Sequence, residues 1–410
     1  MRRSSSILTR LAGAAAGVVL AAATVLTVAL PAQAATLTQV TGFGSNPGSL
    51  AMYAYRPDNL PANAPAVVLL HGCTQNASGY FANSGWQKYA DLWKFALIVP
   101  QQSSANNSST CFNWFETGDT ARGQGEALSI KQMVDYAKTN YGTDAGRVYV
   151  SGLSAGGAMS AVMLATYPDV FAAGSVIAGI PYRCATSSTT AYSCMNPGVD
   201  KTPAQWGDLV RAAYSGYPGP RPRVAIWHGT SDYTVAVASA TESRDQWTNV
   251  LGVSQTPTST ASLPAGTSLE TYGNDAVRVY RVSGMGHGTP VDPGSAVDQC
   301  GTAAAYFLDT ICSTYRDALF FGLDGGSTPS PTPTASPTVS PSPTGSPSPS
   351  PTTPPVCVTA SNYAHVAAGR AYQSLGYAYA LGSNEKMGLY NTYYTTALRQ
   401  TAPNYWVIGC

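Results

Sequence analysis

One stretch constrains the fold of this chain more than any other: Arg147-Val148-Tyr149-Val150-Ser151-Gly152-Leu153-Ser154-Ala155-Gly156-Gly157-Ala158-Met159. A short β-branched and aromatic run leads into Gly152-Leu153-Ser154-Ala155-Gly156, and the small residues from Ala155 to Ala165 are good helix material. The pattern predicts strand, sharp turn and helix, with a serine at the apex. In such an elbow the turn is strained and the backbones of strand and helix nearly touch, so glycine is needed on either side of the serine. The serine hydroxyl is raised clear of the sheet, and the first amides of the helix aim at the same point. A G-x-S-x-G string also arises by chance in a chain with 40 glycines. It carries weight only between a strand and a helix, and both flanks are present here.

The elbow needs a sheet around it. Ala66-Val67-Val68-Leu69-Leu70 and Phe95-Ala96-Leu97-Ile98-Val99 are continuous apolar runs, as strands buried on both faces should be. Ser49 to Tyr55 is a plausible first strand, Val176 to Ile180 a short one, Arg223 to His228 the next and Ala276 to Val282 the last. Between them, Arg122 to Thr139 carries Ala127, Ile130, Met133, Val134 and Ala137 at helical spacing. Apolar strands alternating with helices predict an α/β fold with a mainly parallel sheet covered on both faces, and ligands then bind at the carboxyl ends of its strands.

The flanking regions have other characters. Arg2, Arg3 and Arg10 precede an uncharged stretch, Leu11 to Leu30, which ends at Pro31-Ala32-Gln33-Ala34. This reads as a signal peptide, residues 1–34, cut after Ala34; the rival reading is an uncleaved membrane anchor. The catalytic region is expected over residues 35–326. Residues 327–355 are almost entirely serine, threonine and proline, a composition that buries no core and extends on the order of 90 Å at about 3.1 Å per residue. Residues 356–410 form a small C-terminal module with eight tyrosines and one tryptophan.

Eight cysteines in an exported chain imply disulfides. Proximity suggests Cys184 with Cys194 and Cys300 with Cys312; Cys357 and Cys410 bracket the tail and would staple it, leaving Cys73 with Cys111. No C-x-x-C pair or histidine cluster points to zinc, and neither metal nor cofactor is expected. A formal charge of +1, with a tenth of residues charged, implies no basic face, so nucleic acid is not an expected partner. After signal cleavage no membrane association is expected either, and the protein is read as an extracellular monomer.

A serine is a poor nucleophile without an oriented base. Of the four histidines, His365 lies beyond the spacer, His71 opens an early loop and His228 ends a buried strand. His287, in Gly284-Met285-Gly286-His287-Gly288, follows the last strand of the sheet on a glycine-rich loop, which fits the order serine, acid, histidine. The acid should lie between the two. Asp232 sits just past a strand's carboxyl end, whereas Asp208 lies in a helical stretch and Asp292 follows the histidine. An oxyanion requires two backbone donors: one is the amide of Ala155, and His71-Gly72-Cys73 is placed to supply the other from Cys73.

Together, His71-Gly72-Cys73-Thr74-Gln75, Cys111-Phe112-Asn113-Trp114-Phe115, the elbow, His228-Gly229-Thr230-Ser231-Asp232 and Gly284 to Gly288 resemble the polyhydroxybutyrate depolymerase esterase family. Its relatives include secreted feruloyl and acetyl xylan esterases. The resemblance covers nearly all of residues 36 to 323 and, with the nucleophile after the oxyanion loop, is to the type 1 catalytic domain of the extracellular depolymerases. It implies an α/β-hydrolase fold, a triad of Ser154, Asp232 and His287, an oxyanion hole including Cys73, and a tail similar to a substrate-binding domain. Phe112 stands where that family is expected to have tryptophan, which bears on the pocket rather than the chemistry. Trp114 and Trp206 are candidate substrate contacts, though either suits a core.

The expected substrate is a short-chain polyester such as poly(3-hydroxybutyrate), cleaved through an acyl-enzyme, with an insoluble polyester surface as partner. Exposed tyrosines in the tail suit a surface carrying both methylenes and ester carbonyls, although many of them would also serve its small core. Feruloyl or acetyl esters of plant xylan, with a carbohydrate-binding tail, are the alternative; a non-catalytic secreted binder is a second.

Overall fold

The computed structural model describes residues 35–326 and 357–409, apart from 375, 384, 403 and 404. The expected signal peptide, the spacer and Cys410 lie outside the described residues. What is described falls into two compact units, one on either side of the spacer.

Ten strands of the first unit make one sheet: β1 (Thr38–Val40), β2 (Ala51–Tyr55), β3 (Ala66–Leu70), β4 (Ala96–Gln101), β5 (Val148–Leu153), β6 (Ala173–Ile177), β7 (Arg223–Gly229), β8 (Ser259–Leu263), β9 (Thr267–Tyr272) and β10 (Val277–Val282). Their order is β1-β2-β4-β3-β5-β6-β7-β10-β9-β8. The six from β4 to β10 in that order pair in parallel; β1, β2, β9 and β8 add antiparallel edges. This is an α/β fold with a large, mostly parallel sheet. A further parallel pair, β11 (Thr289–Val291) and β12 (Phe307–Asp309), lies beyond it in the chain.

Eight helices accompany the sheet among the described residues of this unit: α1 (Ala77–Ser84), α2 (Trp86–Trp93), α3 (Gly125–Tyr141), α4 (Ala155–Thr166), α5 (Ser188–Met195), α6 (Pro203–Ala213), α7 (Ala238–Leu251) and α8 (Ser313–Phe321). Successive side chains of a strand point to opposite faces, and β3 divides accordingly. Ala66, Val68 and Leu70 join one core with Met133 of α3, Met159 of α4 and Trp247 of α7. Val67 and Leu69 join the other with Tyr80, Trp86, Tyr89 and Phe321 of α1, α2 and α8. Both faces are dry, which is why β3 reads as an unbroken apolar run rather than an alternation.

Several expected boundaries move. The short strand expected over Val176 to Ile180 is Ala173–Ile177: Ala178 takes φ 45° and ends it, while the small residues before it are drawn into the sheet by pairing with β5 and β7. A side chain on Gly174 would stand 2.8 Å from Leu164 of α4, so the close approach of that helix explains a glycine where strand propensity is poor. The helix expected from Arg122 begins at Gly125, since Gly123 has φ 79°. The hairpin β8–β9 carries too many exposed serines and threonines to announce itself by alternation, and β10 is followed by β11 and β12 rather than being the last strand.

Three expected disulfides are present, Cys73–Cys111, Cys184–Cys194 and Cys300–Cys312. Trp206, a candidate substrate contact, is wholly buried on α6 and donates its indole N–H to Glu242 on α7. Trp114 is also buried, edge-on to Phe115. Both are core residues in this structure.

The second unit consists of β13 (Cys357–Ser361), α9 (Asn362–Ala367), β14 (Ala371–Ser374), β15 (Tyr377–Ala380), β16 (Lys386–Leu389), β17 (Thr395–Ala402) and β18 (Tyr405–Ile408). These strands form two antiparallel sheets of three, β13-β17-β18 and β14-β15-β16. Ala378, Ala380, Met387, Leu398 and Trp406 make its small core, leaving Tyr363, Tyr393, Tyr394 and Tyr405 exposed.

Candidate active site

β5 delivers Leu153 and then stops, because Ser154 takes φ 58°, ψ −117°. That is a strained conformation for a residue with a side chain, costing on the order of 1–3 kcal/mol. Its surroundings hold it there: the Ser154 amide donates to the carbonyl of Ile177 on β6 at 2.9 Å, and Ala158 of α4 donates back to the Ser154 carbonyl at 2.8 Å. The glycines are required by contact rather than by φ. A Cβ on Gly156 would stand 2.1 Å from the Leu70 carbonyl oxygen, and one on Gly152 would stand 2.4 Å from that of Gly156. Strand, turn and helix interlock only without those side chains.

The loop after β3 lies directly beside the serine. A Cβ on Gly72 would be 3.5 Å from Cβ of Ser154 and 3.4 Å from the Leu153 carbonyl. Gly72 donates to the side-chain oxygen of Gln75 at 2.8 Å, and Gln75 donates to the Gly72 carbonyl at 3.3 Å, closing a tight turn over Cys73. Among the described residues, neither the amide of Cys73 nor that of Ala155 donates to another group. Ala155 opens α4, where backbone N–H groups and the positive end of the helix dipole face outward.

His71 does not take part. It is buried, and burial pushes its imidazole down to about 4 against the opposing hydrogen bond to Gly72. Its Nε2 accepts from the Gln102 amide at 3.2 Å, so Nδ1 carries the proton and donates to the Gly72 carbonyl at 2.8 Å. The ring braces the loop.

On the far side, β7 ends at Gly229 and the chain turns to place Asp232. A side chain on Gly229 would stand 2.2 Å from the Met285 carbonyl, so this glycine admits the loop that carries His287. Asp232 Oδ1 accepts from the amides of Thr234 and Val235, both at 2.9 Å. Its Oδ2 faces Nδ1 of His287 at 2.7 Å. The Asp232 side chain is fully shielded from solvent and that of His287 largely so. Burial raises the Asp232 carboxyl; the hydrogen bond and charge of His287, with the Val235 amide and His228, outweigh it and hold the group below its ordinary value. An ionised carboxylate accepts only, so His287 carries its proton on Nδ1 and leaves Nε2 free to accept. His228 also approaches Asp232 Oδ2, at 3.5 Å, but is buried and donates from Nε2 to the Val235 carbonyl at 2.9 Å; burial lowers its pKa.

Ser154 and His287 line one cleft of about 150 Å3, together with Gly72, Cys73, Thr74, Gln75, Leu153, Met195, Thr234 and Tyr306. Of the residues singled out in the sequence, Ser154, His287 and Cys73 therefore meet here, with Asp232 behind His287 and Ala155 behind Ser154. Trp114 and Trp206 do not line it. Met195, Thr234 and Tyr306 were not legible in advance: Met195 sits at the end of the short helix α5, and Tyr306 adopts φ 64° and stands edge-on to His287 at 6.3 Å. Neither position follows a periodic pattern. The arrangement has the parts of an acyl-transfer site, namely a raised hydroxyl, an imidazole oriented by a buried carboxylate, and two undonated amides.

Comparison with known proteins gives the arrangement a context. The profile of the family described as Esterase PHB depolymerase matches residues 48–270. The poly(3-hydroxyalkanoate) depolymerase C of Paucimonas lemoignei is 57% identical over 293 residues, 70% of this chain and 70% of that protein. An acetylxylan esterase of Coprinopsis cinerea is 40% identical over 261 residues, 62% of this chain and 69% of that protein. Among solved structures, the acetyl xylan esterase of Aspergillus awamori superposes with a TM-score of 0.61 at 31% identity, covering 70% of this chain and 99% of the other.

Proposed function

This chain belongs to the PHB depolymerase esterase family and is a carboxylic ester hydrolase, and from that premise we propose that it cleaves the ester bonds of poly(3-hydroxybutyrate)-type polyesters through an acyl-enzyme on Ser154. The observation that carries the mechanism is the 2.7 Å bond from His287 to Asp232, in a cleft that His287 shares with the serine. Ser154 Oγ adds to the ester carbonyl as Nε2 of His287 takes its proton, and Asp232 stabilises the imidazolium that results. The amides of Ala155 and Cys73 receive the oxyanion. Collapse expels the alcohol end of the polymer with the proton from His287, and water, activated by the same imidazole, releases the acyl group from the serine.

The 57% identity to a poly(3-hydroxyalkanoate) depolymerase supports a polyester over other esters. The two-unit build supports it as well. Tyr363, Tyr393, Tyr394 and Tyr405 remain exposed on the second unit. Such rings suit adsorption to an insoluble surface, and the spacer then holds the cleft at high effective concentration over it. Secretion fits the basic and apolar N-terminal sequence and the three disulfides; no helix among the described residues is long and apolar enough to cross a membrane.

Likeness to two acetyl xylan esterases supports a second reading, hydrolysis of acyl groups on plant xylan. Product analysis after incubation with polyhydroxybutyrate granules beside feruloylated and acetylated xylan separates the two. Release of 3-hydroxybutyrate oligomers by the wild type, abolished in Ser154→Ala, is the expected result. Release of ferulate or acetate alone would replace the polyester with xylan, and hydrolysis by Ser154→Ala would refute the mechanism.

A further inference from the structure

The loop joining β4 to α3 is organised around one buried acid that the acyl-transfer chemistry does not use. Glu126, in the first turn of α3, is fully buried. Every side chain or amide bonded to its carboxylate is a donor: Oε1 takes the side-chain amides of Gln102 and Asn106, and Oε2 takes the backbone amide of Asn113 at 2.8 Å. Gln102 and Asn113 bound the first half of this loop, residues 102–113, so one carboxylate ties both ends of that stretch.

From there the loop reaches the oxyanion turn at four points. The Gln102 amide donates to His71, the ring that bonds the Gly72 carbonyl. Thr74 donates to the Ser109 carbonyl at 2.7 Å. Thr110 donates its hydroxyl to the Gln75 carbonyl at 3.3 Å. Cys111 is bonded to Cys73 itself, and its own carbonyl accepts from the Gln102 side chain at 3.1 Å. The Cys73 amide is therefore set from behind, through a loop whose frame is the Glu126 carboxylate.

We propose that Glu126 is a positioning residue for the oxyanion hole, holding the Cys73 amide at its place beside Ser154 through the 102–113 loop. This rests on the esterase mechanism given above. Only the ionised form does this fully, because a protonated carboxyl would have to donate into a shell made solely of donors. Burial, and then the neighbouring Asp119, push Glu126 up to about 8, against the bonds from Asn113, Gln102 and Asn106. Asp119 is the charged group that faces it. His71, behind Gln102, is held neutral by burial, and the segments packed on the carboxylate from Gly48, Gln102, Asn106 and Asn113 bring no charge. The loop is thus braced most firmly above about pH 8.

The test is kcat and KM on a soluble short-chain p-nitrophenyl ester between pH 6 and 10, with the melting temperature measured alongside. In the wild type kcat should rise as Glu126 ionises. Glu126→Gln, which presents an amide donor at every pH, should lower kcat about tenfold to 100-fold above pH 8, since misplacing one donor costs up to what its removal does. KM should stay within about twofold, and the limb near pH 8 should vanish. A folded Glu126→Gln protein that keeps the wild-type kcat, or that keeps the limb, overturns the proposal. Should that variant fail to fold, Asn106→Ala decides: it removes one bond to the ionised form and should move the limb to higher pH, and a limb that does not move overturns the proposal equally. Ser154→Ala in the same assay keeps the two questions apart, because its surviving activity would sink the esterase mechanism, whereas an indifferent Glu126→Gln sinks only the role of Glu126.

Discussion

Replacing Asp232 with asparagine probes the orientation of the site without altering its shape. In the native protein Oδ1 accepts from the amides of Thr234 and Val235 at 2.9 Å, while Oδ2 accepts from Nδ1 of His287 at 2.7 Å. An asparagine has one acceptor oxygen and one donor nitrogen. The Val235 amide is buried and the bond from Thr234 partly so, and together they compel the oxygen to face them, since an unsatisfied buried donor costs about 1–3 kcal/mol. The NH2 group then points at His287 Nδ1, which must become an acceptor. The imidazole proton moves to Nε2, and the nitrogen facing the serine can no longer take its proton. A tautomer fixed the wrong way lowers kcat about 10⁴-fold in a serine triad, or about 5.5 kcal/mol of transition-state stabilisation. The assay is kcat on a soluble short-chain ester, with 15N chemical shifts of His287 reporting which nitrogen bears the proton. A loss of tenfold or less with the Nδ1 proton still in place would refute the reasoning, because the two backbone amides would then not be dictating the amide's orientation.

Gly156→Ala should prevent stable folding or cost at least about 3 kcal/mol in urea titration, as the added Cβ meets the Leu70 carbonyl at 2.1 Å and backbone cannot step aside cheaply; a loss below about 1 kcal/mol would contradict the close approach. Replacing Cys73 and Cys111 together by serine keeps the donor amide but removes the link across 38 residues; a stability loss of about 4 kcal/mol and a lower kcat on soluble ester are expected, and unchanged kcat would show that hydrogen bonds alone hold the turn. Asp317→Asn addresses a fully buried carboxyl that burial pushes up to about 7, against the bond from Trp227. Its raised value means that the native state keeps a proton the unfolded chain has lost, so its contribution to stability is complete below about pH 4 and is lost as pH rises through 7. Asparagine keeps the acceptor for Trp227 Nε1 and should gain on the wild type over that window, by on the order of 4 kcal/mol at most; parallel stability curves from pH 4 to 8 would refute it.

The chain wrote down its own chemistry in local terms. An elbow is a short-range object: five residues, two of them glycine, between a β-branched run and a small-residue helix, and each part is visible within a dozen positions. The order of Ser154, Asp232 and His287 follows from where apolar runs end, because ligand-facing loops follow the carboxyl ends of parallel strands. The three disulfides among the described residues fell to spacing and elimination. Tertiary structure decided whatever depends on which distant segments touch. Whether Trp206 is buried or exposed could not be read from the residue type, since an indole serves both; in the fold it is buried and bonded to Glu242 on α7. Met195 and Tyr306 reached the cleft from segments with no periodic signature. By residue type alone Glu126 is an acid near the start of a helix, where a carboxylate is ordinarily solvated and favoured by the dipole. Its burial, and the ring of donors from Gln102, Asn106 and Asn113, exist only once the loop before α3 folds back over it. Sequence names the groups proposed to react because their surroundings are local; the groups that hold them in place are drawn from across the chain, and only the folded contacts identify them.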